Sequence, residues 1–394
     1  MQRPASIDAG EFCAKLEQLK TVTQSNGFSA IYLGSEGAMR WLTGYRHQVV
    51  DIHPGATTTV QSVIRFTESG PSISFFSDPW EKARVLHIME HGIWNTCGVP
   101  VMYGGSSYDP NEPDLAHPAL PGYGEIERAA ISPLAQGTEG NQWDKLQWLI
   151  ATSRQVLVRT ARKLRAGMNG WQVRRMLIDA YHEQHVELNL VMLGLSGMKD
   201  HLHPVIEDDS VVEEGAVVKL VVGARYYDMF HSASQLVKIG SEPSERERQV
   251  HQALVEATLA YADLFRNGAT ERELHASLQP IFAHVAHTRN LPGFEQSAYL
   301  HHPGGPLSPL GNRDFVIARD GARRLLPYAQ FSVNPVDCLE FLKFELQGVV
   351  LPEGEPIIFD EFSWTDDPSL QENIEWHGCA LSLPTIISNE GADR

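Results

Sequence analysis

Two apolar runs near the middle of the chain, residues 216–222 and 229–237, stand out in the pattern of hydrophobic and polar positions. The first run is apolar almost throughout, which is typical of a strand buried on both faces. The second interleaves His231, Ser232 and Ser234 with apolar residues. Buried polar side chains need partners. The pattern therefore predicts a central hairpin that lines a cavity, with a Gly-Ala-Arg-Tyr-Tyr-Asp turn between its strands.

The first part of the chain alternates between helical and strand periodicity. Asp8 is expected to cap the first helix, and Asn26-Gly27 to end it. The predicted helices are 11–24, 36–42 and 79–90, and the predicted strands are 30–33, 58–66 and 72–76. This alternation predicts a small α/β domain.

A different order of elements is predicted after a stretch rich in Pro, Gly and Ser at 101–140, which is expected to be irregular and to contain the linker. Helices are predicted at 142–166 and 170–185, a strand at 188–195, and two more helices after the hairpin. The capping boxes Ser244/Glu247 and Thr270/Glu273 mark where those two helices begin. The sequence thus predicts an α+β protein with domains at 1–137 and 138–394.

Composition narrows the class of protein. The chain has 394 residues, enough for two domains with sizeable cores. Its formal net charge is −17, which disfavours nucleic acid or an anionic membrane as a partner. Neither a signal peptide nor a run of about 18 apolar residues is evident. The four cysteines are far apart in the sequence, so a reduced cytoplasmic location is expected.

Four segments resemble the signatures of the pita-bread family, which includes creatinase, aminopeptidase P, prolidase, ectoine hydrolase and methionine aminopeptidase. These are the central hairpin with its glycines, YLHHPGGPLS at 299–308, AQFSVNP at 329–335 and KFELQGVV at 343–350. The resemblance implies a creatinase-like α/β domain followed by a pita-bread domain. It also implies a homodimer and a small-molecule substrate.

The chain departs from this family at the metal ligands. Metallopeptidases of the family use four carboxylates and one histidine, and the matching positions here are Val221, Ser232, His302, Asn334 and Glu345. Two divalent cations need bridging carboxylates to balance charge and to fill hard-oxygen coordination. The two-metal site is therefore expected to be absent, and no cofactor is predicted.

The resemblance implies catalytic roles for three residues. His203, with His201 as the alternate, falls where the family places a proton-transferring histidine, and an imidazole suits this role because its pKa lies near neutrality. Glu345 and His302 are expected to orient the substrate or the attacking water. A charged Glu345 among apolar residues is costly unless it has a partner, which supports a cavity position.

Substrate contacts are predicted for His231, Ser234, His301 and Asn334. Ser234 stands where creatinase has a glutamate that grips a guanidinium group, so creatine itself is not the expected substrate. In creatinase-like dimers, the loop matching residues 43–53 reaches the neighbouring subunit's active site. Tyr45 and Arg46 are the candidates for this contact, and a solvated surface loop is the alternative.

These inferences predict a metal-independent, creatinase-like hydrolase. It would cleave a C–N bond in a small polar amino-acid-derived or heterocyclic substrate by histidine-based acid/base catalysis, with elimination or isomerisation as alternatives. A non-catalytic pita-bread binding protein is the second hypothesis. The third is a hydrolase or lyase with one metal, held by three of the residues His203, His231, His301, His302, Asp228 and Glu345.

Overall fold

A computed structural model describes most of the chain. The described residues are 2–45, 57–106, 109, 111–116, 123–131, 134–195, 210–295, 304–308, 317–337, 340 and 342–389. The chain divides into two compact units, and the division falls within a long helix. Unit 1 comprises Met1–Trp148, Tyr227–Met229 and Leu307–Asp314, and unit 2 comprises Leu149–Tyr226, Phe230–Pro306 and Phe315–Arg394. The predicted domain boundary at 137/138 remains a prediction.

Unit 1 contains a five-stranded sheet of order β4-β3-β2-β1-β5, together with several helices. Its strands are β1 (Ala30–Ser35), β2 (Thr57–Thr67), β3 (Gly70–Ser77), β4 (Val101–Gly105) and β5 (Leu115–Ala116). Its helices are α1 (Ala9–Ser25), α2 (Glu36–Thr43), α3 (Lys82–His91), α4 (Trp94–Cys97) and α5 (Tyr123–Ile131), and a 3-10 turn spans Pro79–Glu81.

Local sequence signals account for most of these elements. The Asp8 carboxylate accepts a hydrogen bond from the Glu11 backbone N–H at 2.7 Å and caps α1. Phe12, Leu16 and Leu19 of α1 lie in one apolar core with residues of β1, β2 and β3. The predicted elements of residues 11–90 are therefore confirmed. The prediction of an irregular stretch at 101–140 is wrong in part, because β4, β5 and α5 lie within it.

Unit 2 contains two four-stranded sheets and a hairpin. The sheet orders are β15-β8-β7-β6 and β12-β11-β10-β9, and β13 pairs with β14. The strands are β6 (Glu187–Gly194), β7 (Val217–Tyr226), β8 (Met229–Ile239), β9 (Gly305–Pro306), β10 (Gln330–Val333), β11 (Leu346–Val349), β12 (Ile357–Ile358), β13 (Gln371–Trp376), β14 (Cys379–Pro384) and β15 (Ile386–Asn389). Helix α6 (Gly140–Ala161) crosses the division, and α7 (Gly170–His182), α8 (Glu245–Ala262) and α9 (Glu271–Thr288) follow.

The predicted helix starts of unit 2 are confirmed by their caps. Asn169 forms a capping box with Gln172, and the predicted Ser244/Glu247 and Thr270/Glu273 boxes are both present. Helix α6 ends at Ala161, so the predicted end at residue 166 is too late. Apolar periodicity continues through the turn to the buried Leu164, which explains the overestimate.

The central hairpin exists, but its turn is shorter than predicted. Every residue of β7 is buried, as expected for a strand covered on both faces. Gly223 to Tyr226 continue β7, so only Tyr227 and Asp228 connect the strands, and the predicted six-residue turn is wrong. Tyr227 takes a positive φ of 52°, which fits a two-residue connection.

Within unit 1, Asp228 belongs to a buried network of two lysines and two carboxylates. Its carboxylate accepts hydrogen bonds from Lys15 at 2.8 Å, from Lys145 and from Gln142 at 3.0 Å. Glu11 binds the same two lysines, with Lys145 at 2.8 Å. The four charged side chains are at most 1% exposed. Their formal charges cancel, which is how charge is tolerated in a protein interior.

The lysines determine the charge state of Asp228. Burial by itself would raise the pKa of this carboxyl, but Lys145 and Lys15 outweigh burial and hold the pKa well below its usual range. Burial would lower the pKa of Lys145, and Asp228 and Glu11 raise it instead. Asp228 and Lys145 are therefore both charged at neutral pH. Asp228 uses its carboxylate to anchor the hairpin turn, which leaves it poorly placed to be a metal ligand.

No helix in the described part of the chain is both long and apolar enough to cross a membrane.

Candidate functional site

Side-chain amides join strands β8 and β11 inside unit 2. The Gln347 amide N–H donates to the Ser232 carbonyl, and its Oε1 accepts from Gln330 Nε2 at 3.2 Å. Gln330 Nε2 also donates to the Phe230 carbonyl at 2.6 Å. Backbone carbonyls thus determine which way both amides point, because a carbonyl accepts only from N–H. The Gln347 oxygen consequently faces His231, whose Nδ1 lies 2.9 Å away.

This arrangement assigns one tautomer to His231. Since Gln347 Oε1 can only accept, Nδ1 carries the proton and Nε2 presents a lone pair. His231 is fully buried, and no described residue forms a hydrogen bond with Nε2. Burial, and after it the charge of Arg154, lower the pKa of His231 to about 3, although the hydrogen bond to Gln347 opposes this change. His231 is therefore a neutral hydrogen-bond acceptor.

We expect His231 to remain neutral in the folded protein from pH 8 down to pH 4. Its folded pKa of about 3 lies below the usual value of 6.5, so the unfolded chain takes up the proton first. The contribution of His231 to stability is thus fully present above about pH 6.5 and decreases as the pH falls towards 3. Carbon-13-edited NMR of the histidine rings measures the pKa of His231 directly. The His231 signals are assigned by comparison with a His231→Gln variant. A ring that titrates near pH 6 would contradict the assignment.

A buried ion pair lies next to the histidine network. Arg154 of α6 donates a hydrogen bond to the Ser234 carbonyl at 2.6 Å and pairs with the Glu361 carboxylate. Both side chains are at most 1% exposed. Burial raises the pKa of Glu361 to about 7, with Arg154 opposing the rise and Glu345 adding to it. Glu361 thus titrates close to neutral pH.

Glu345 provides the second carboxylate of this region. It is buried, and its nearest described cation is Lys343, whose Nζ lies 3.9 Å from Oε2. No described residue donates a hydrogen bond to either carboxylate oxygen, and the same is true of Asn334 Oδ1. Unsatisfied acceptors at buried positions are costly and are concentrated at functional sites. Glu345 and Asn334 therefore have capacity for a ligand or for water.

The side chains at the family's metal positions do not fit a pair of divalent cations. Val221 is buried and has no donor atom, and Ser232 and Asn334 are neutral. Glu345 lies 3.9 Å from the Lys343 ammonium group, and the nearby Glu361 carboxylate is paired with Arg154. Bridging two cations requires several anionic oxygens. Among the described residues, no group of three His, Cys, Asp or Glu side chains is placed to hold a single ion.

The predicted site residues divide between described and undescribed parts of the chain. His231, Ser234, Asn334 and Glu345 all lie in unit 2 and are buried. Tyr45 lies in unit 1, is 37% exposed and donates to the His91 carbonyl at 3.4 Å. Arg46, His203, His301 and His302, and the alternate His201, lie outside the described residues. The functional roles given to all these residues remain predictions.

Sequence reasoning missed Arg154, Glu361 and Gln347. Arg154 had a usable signal, because it lies four residues after Ile150 and three before Leu157, within the apolar stripe of α6. A charged residue at such a position is expected to be buried and paired. Glu361 and Gln347 lie in short segments without a comparable periodic pattern.

A family model and solved structures identify the class of protein. The model of metallopeptidase family M24 matches residues 145–349. The dipeptidase PepE of Mycobacterium ulcerans is 18% identical, with a TM-score of 0.63, and the match covers 91% of this chain and 96% of that one. The prolidase of Pyrococcus horikoshii OT3 is 13% identical, with a TM-score of 0.63, and the match covers 87% and 97%. The X-Pro aminopeptidase of Thermotoga maritima MSB8 is 17% identical, with a TM-score of 0.58, and the match covers 87% and 96%.

The chain belongs to metallopeptidase family M24 and has the pita-bread fold. The predicted family and the α+β fold class are thereby confirmed. At these identities the solved structures establish the fold alone. No curated protein sequence matches the chain.

Proposed function

We propose that this protein is a metal-independent hydrolase that cleaves a C–N bond in a small polar molecule. The M24 fold and its prolidase and aminopeptidase neighbours favour hydrolysis at a bond to nitrogen. Glu345 is the proposed carboxylate of the reaction, and it orients the substrate or the attacking water. The remaining assignments, His203 as acid/base and His302 as an orienting group, rest on the family resemblance.

The state of Glu345 is the observation that supports this proposal most directly. A buried carboxyl group that receives no hydrogen bond from any described residue is costly to the folded state, so its presence needs another reason. A substrate N–H or a water molecule would supply the missing donor. The substitutions at Val221, Ser232 and Asn334 remove most of the anionic oxygen that divalent cations require. These two facts together support a metal-independent use of Glu345.

We expect the protein to turn over its substrate with and without chelator. Elemental mass spectrometry on protein purified without chelator or affinity nickel should find less than about 0.1 equivalent of any transition metal. Guanidino, amidine and cyclic-amide compounds are then screened for C–N hydrolysis, with and without EDTA. Activity that EDTA abolishes and that Mn²⁺ or Zn²⁺ restores would overturn metal independence.

A binding protein without catalysis is the second candidate, since the chain lacks three of the family's carboxylates. In that case calorimetry would detect binding of one or more of the same compounds, and none of them would be hydrolysed.

A further inference from the structure

We propose that Cys13 and Cys97 of unit 1 are a paired oxidation site that forms an intramolecular disulfide under peroxide. The two residues are far apart in the sequence and show no paired spacing. The fold brings them together because α1 and α4 pack against each other, with Cα atoms of the two helices approaching within 8 Å. This site is independent of the proposed hydrolase chemistry, since neither cysteine belongs to unit 2.

The position of the Cys97 sulfur supports this pairing. Cys97 Sγ lies 3.7 Å from the Ala9 carbonyl oxygen, and Ala9 is four residues before Cys13 in α1. Side chains of a helix lean towards its N-terminus, so the Cys13 side chain projects over the turn that contains Ala9. Both cysteines also line one cavity of about 310 Å³ in unit 1. The Cys97 thiol of α4 therefore lies against the same face of α1 that carries the Cys13 thiol.

The protonation of Cys97 agrees with contact between the two sulfurs. Burial, and after it a hydrogen bond with Cys13, raise the pKa of the Cys97 thiol to about 11. Cys97 is thus a protonated thiol at neutral pH. Cys13 is exposed and is the group that meets an oxidant first.

The chemistry takes place in two balanced steps with hydrogen peroxide as the oxidant. Cys13 thiolate attacks one peroxide oxygen, which gives a sulfenic acid after proton uptake and releases water. Cys97 then loses its proton and attacks the Cys13 sulfur, which forms the S–S bond and releases a second water. The two sulfurs together lose two electrons, and the peroxide is reduced. Because Cys97 must deprotonate, the second step should accelerate as the pH rises from 7 to 9.

The disulfide would change the stability of unit 1. It closes a loop of about 84 residues between α1 and α4. Constraining so long a loop reduces the conformational freedom of the unfolded chain. We expect the oxidised full-length protein to unfold about 5 °C above the reduced protein.

The test uses the full chain treated with hydrogen peroxide and then analysed by intact mass and by peptide mapping. The expected result is a loss of two hydrogens, a Cys13–Cys97 linked peptide, and recovery of both thiols with dithiothreitol. Cys13→Ser and Cys97→Ser should each abolish the linked peptide. Cys379→Ser, a change at another exposed cysteine, should leave it intact. In Cys97→Ser, dimedone should label Cys13, because the sulfenic acid then has no resolving thiol.

Two outcomes would overturn the proposal. One is a folded wild-type protein in which Cys13 oxidises to sulfinic acid without forming the link. The other is a disulfide that joins different cysteines, or two chains, in preference to Cys13 and Cys97.

Discussion

Replacing Lys15 with methionine is expected to lower the free energy of unfolding by about 3–5 kcal/mol. Lys15 contacts Glu11 and Asp228, and all three side chains are at most 1% exposed. Methionine has a similar length, so the substitution removes the charge while leaving little empty space. Lys145 would then face two buried carboxylates alone, and one negative charge would be uncompensated. Urea unfolding at pH 7, followed by circular dichroism, measures the loss.

The same helix provides a matched control. Lys20 pairs with Glu17 at 3.6 Å, but its side chain is 43% exposed. Exposed ion pairs contribute little, so Lys20→Met should change the free energy of unfolding by less than about 0.5 kcal/mol. If Lys15→Met and Lys20→Met lowered the free energy of unfolding equally, the loss would come from replacing any lysine with methionine. The buried network would then not be what anchors Asp228.

The second large effect is expected at Glu345. Glu345→Gln keeps the size of the side chain and removes its charge, so it should lower turnover by about 10²–10⁴-fold with a smaller change in KM. The reason is that a neutral amide can neither accept a proton nor align water as a carboxylate does. Single-turnover kinetics on the substrate found by screening measures this, and circular dichroism verifies that the variant is folded.

Two comparisons make the Glu345 result specific. Glu355→Gln alters a carboxylate that is 48% exposed, and its turnover should equal that of the wild-type protein. Binding of the substrate to Glu345→Gln, measured by calorimetry, separates loss of chemistry from loss of affinity. Full turnover in Glu345→Gln would remove Glu345 from the reaction and leave the proposed function without its main support.

The order of helices and strands was predictable because it depends on local signals. Asp8, Asn169, Ser244 and Thr270 each cap a helix where the sequence places them. Apolar runs predicted the buried hairpin strands. The errors occurred where local signals are weak. Short strands such as β5 have too few residues for a period to be visible, and the strand character of residues 223–226 depends on their pairing with β6.

The candidate site was only partly predictable. Short motifs pointed to His231, Asn334 and Glu345, which are all buried in unit 2, and their functional roles remain predictions. The partners Arg154 and Gln347 were not found, because they come from a helix and a strand that are distant in sequence. Cys13 and Cys97 show the same limit. Their separation in the sequence gives no sign that they are neighbours, whereas in the structure α1 contacts α4 and both cysteines line one cavity.

The sequence by itself determined the pita-bread element order, the helix caps and the loss of carboxylates at three metal positions, since these depend on residue identity and local spacing. Tertiary structure alone decided the charge states. Lys15 and Arg154 each interrupt an apolar stripe, and this pattern indicates that they are buried. The pattern does not indicate which carboxylate each of them pairs with. Burial and the distance to opposite charges set the pKa values of Asp228, His231 and Glu361. Those distances exist only once the chain has folded.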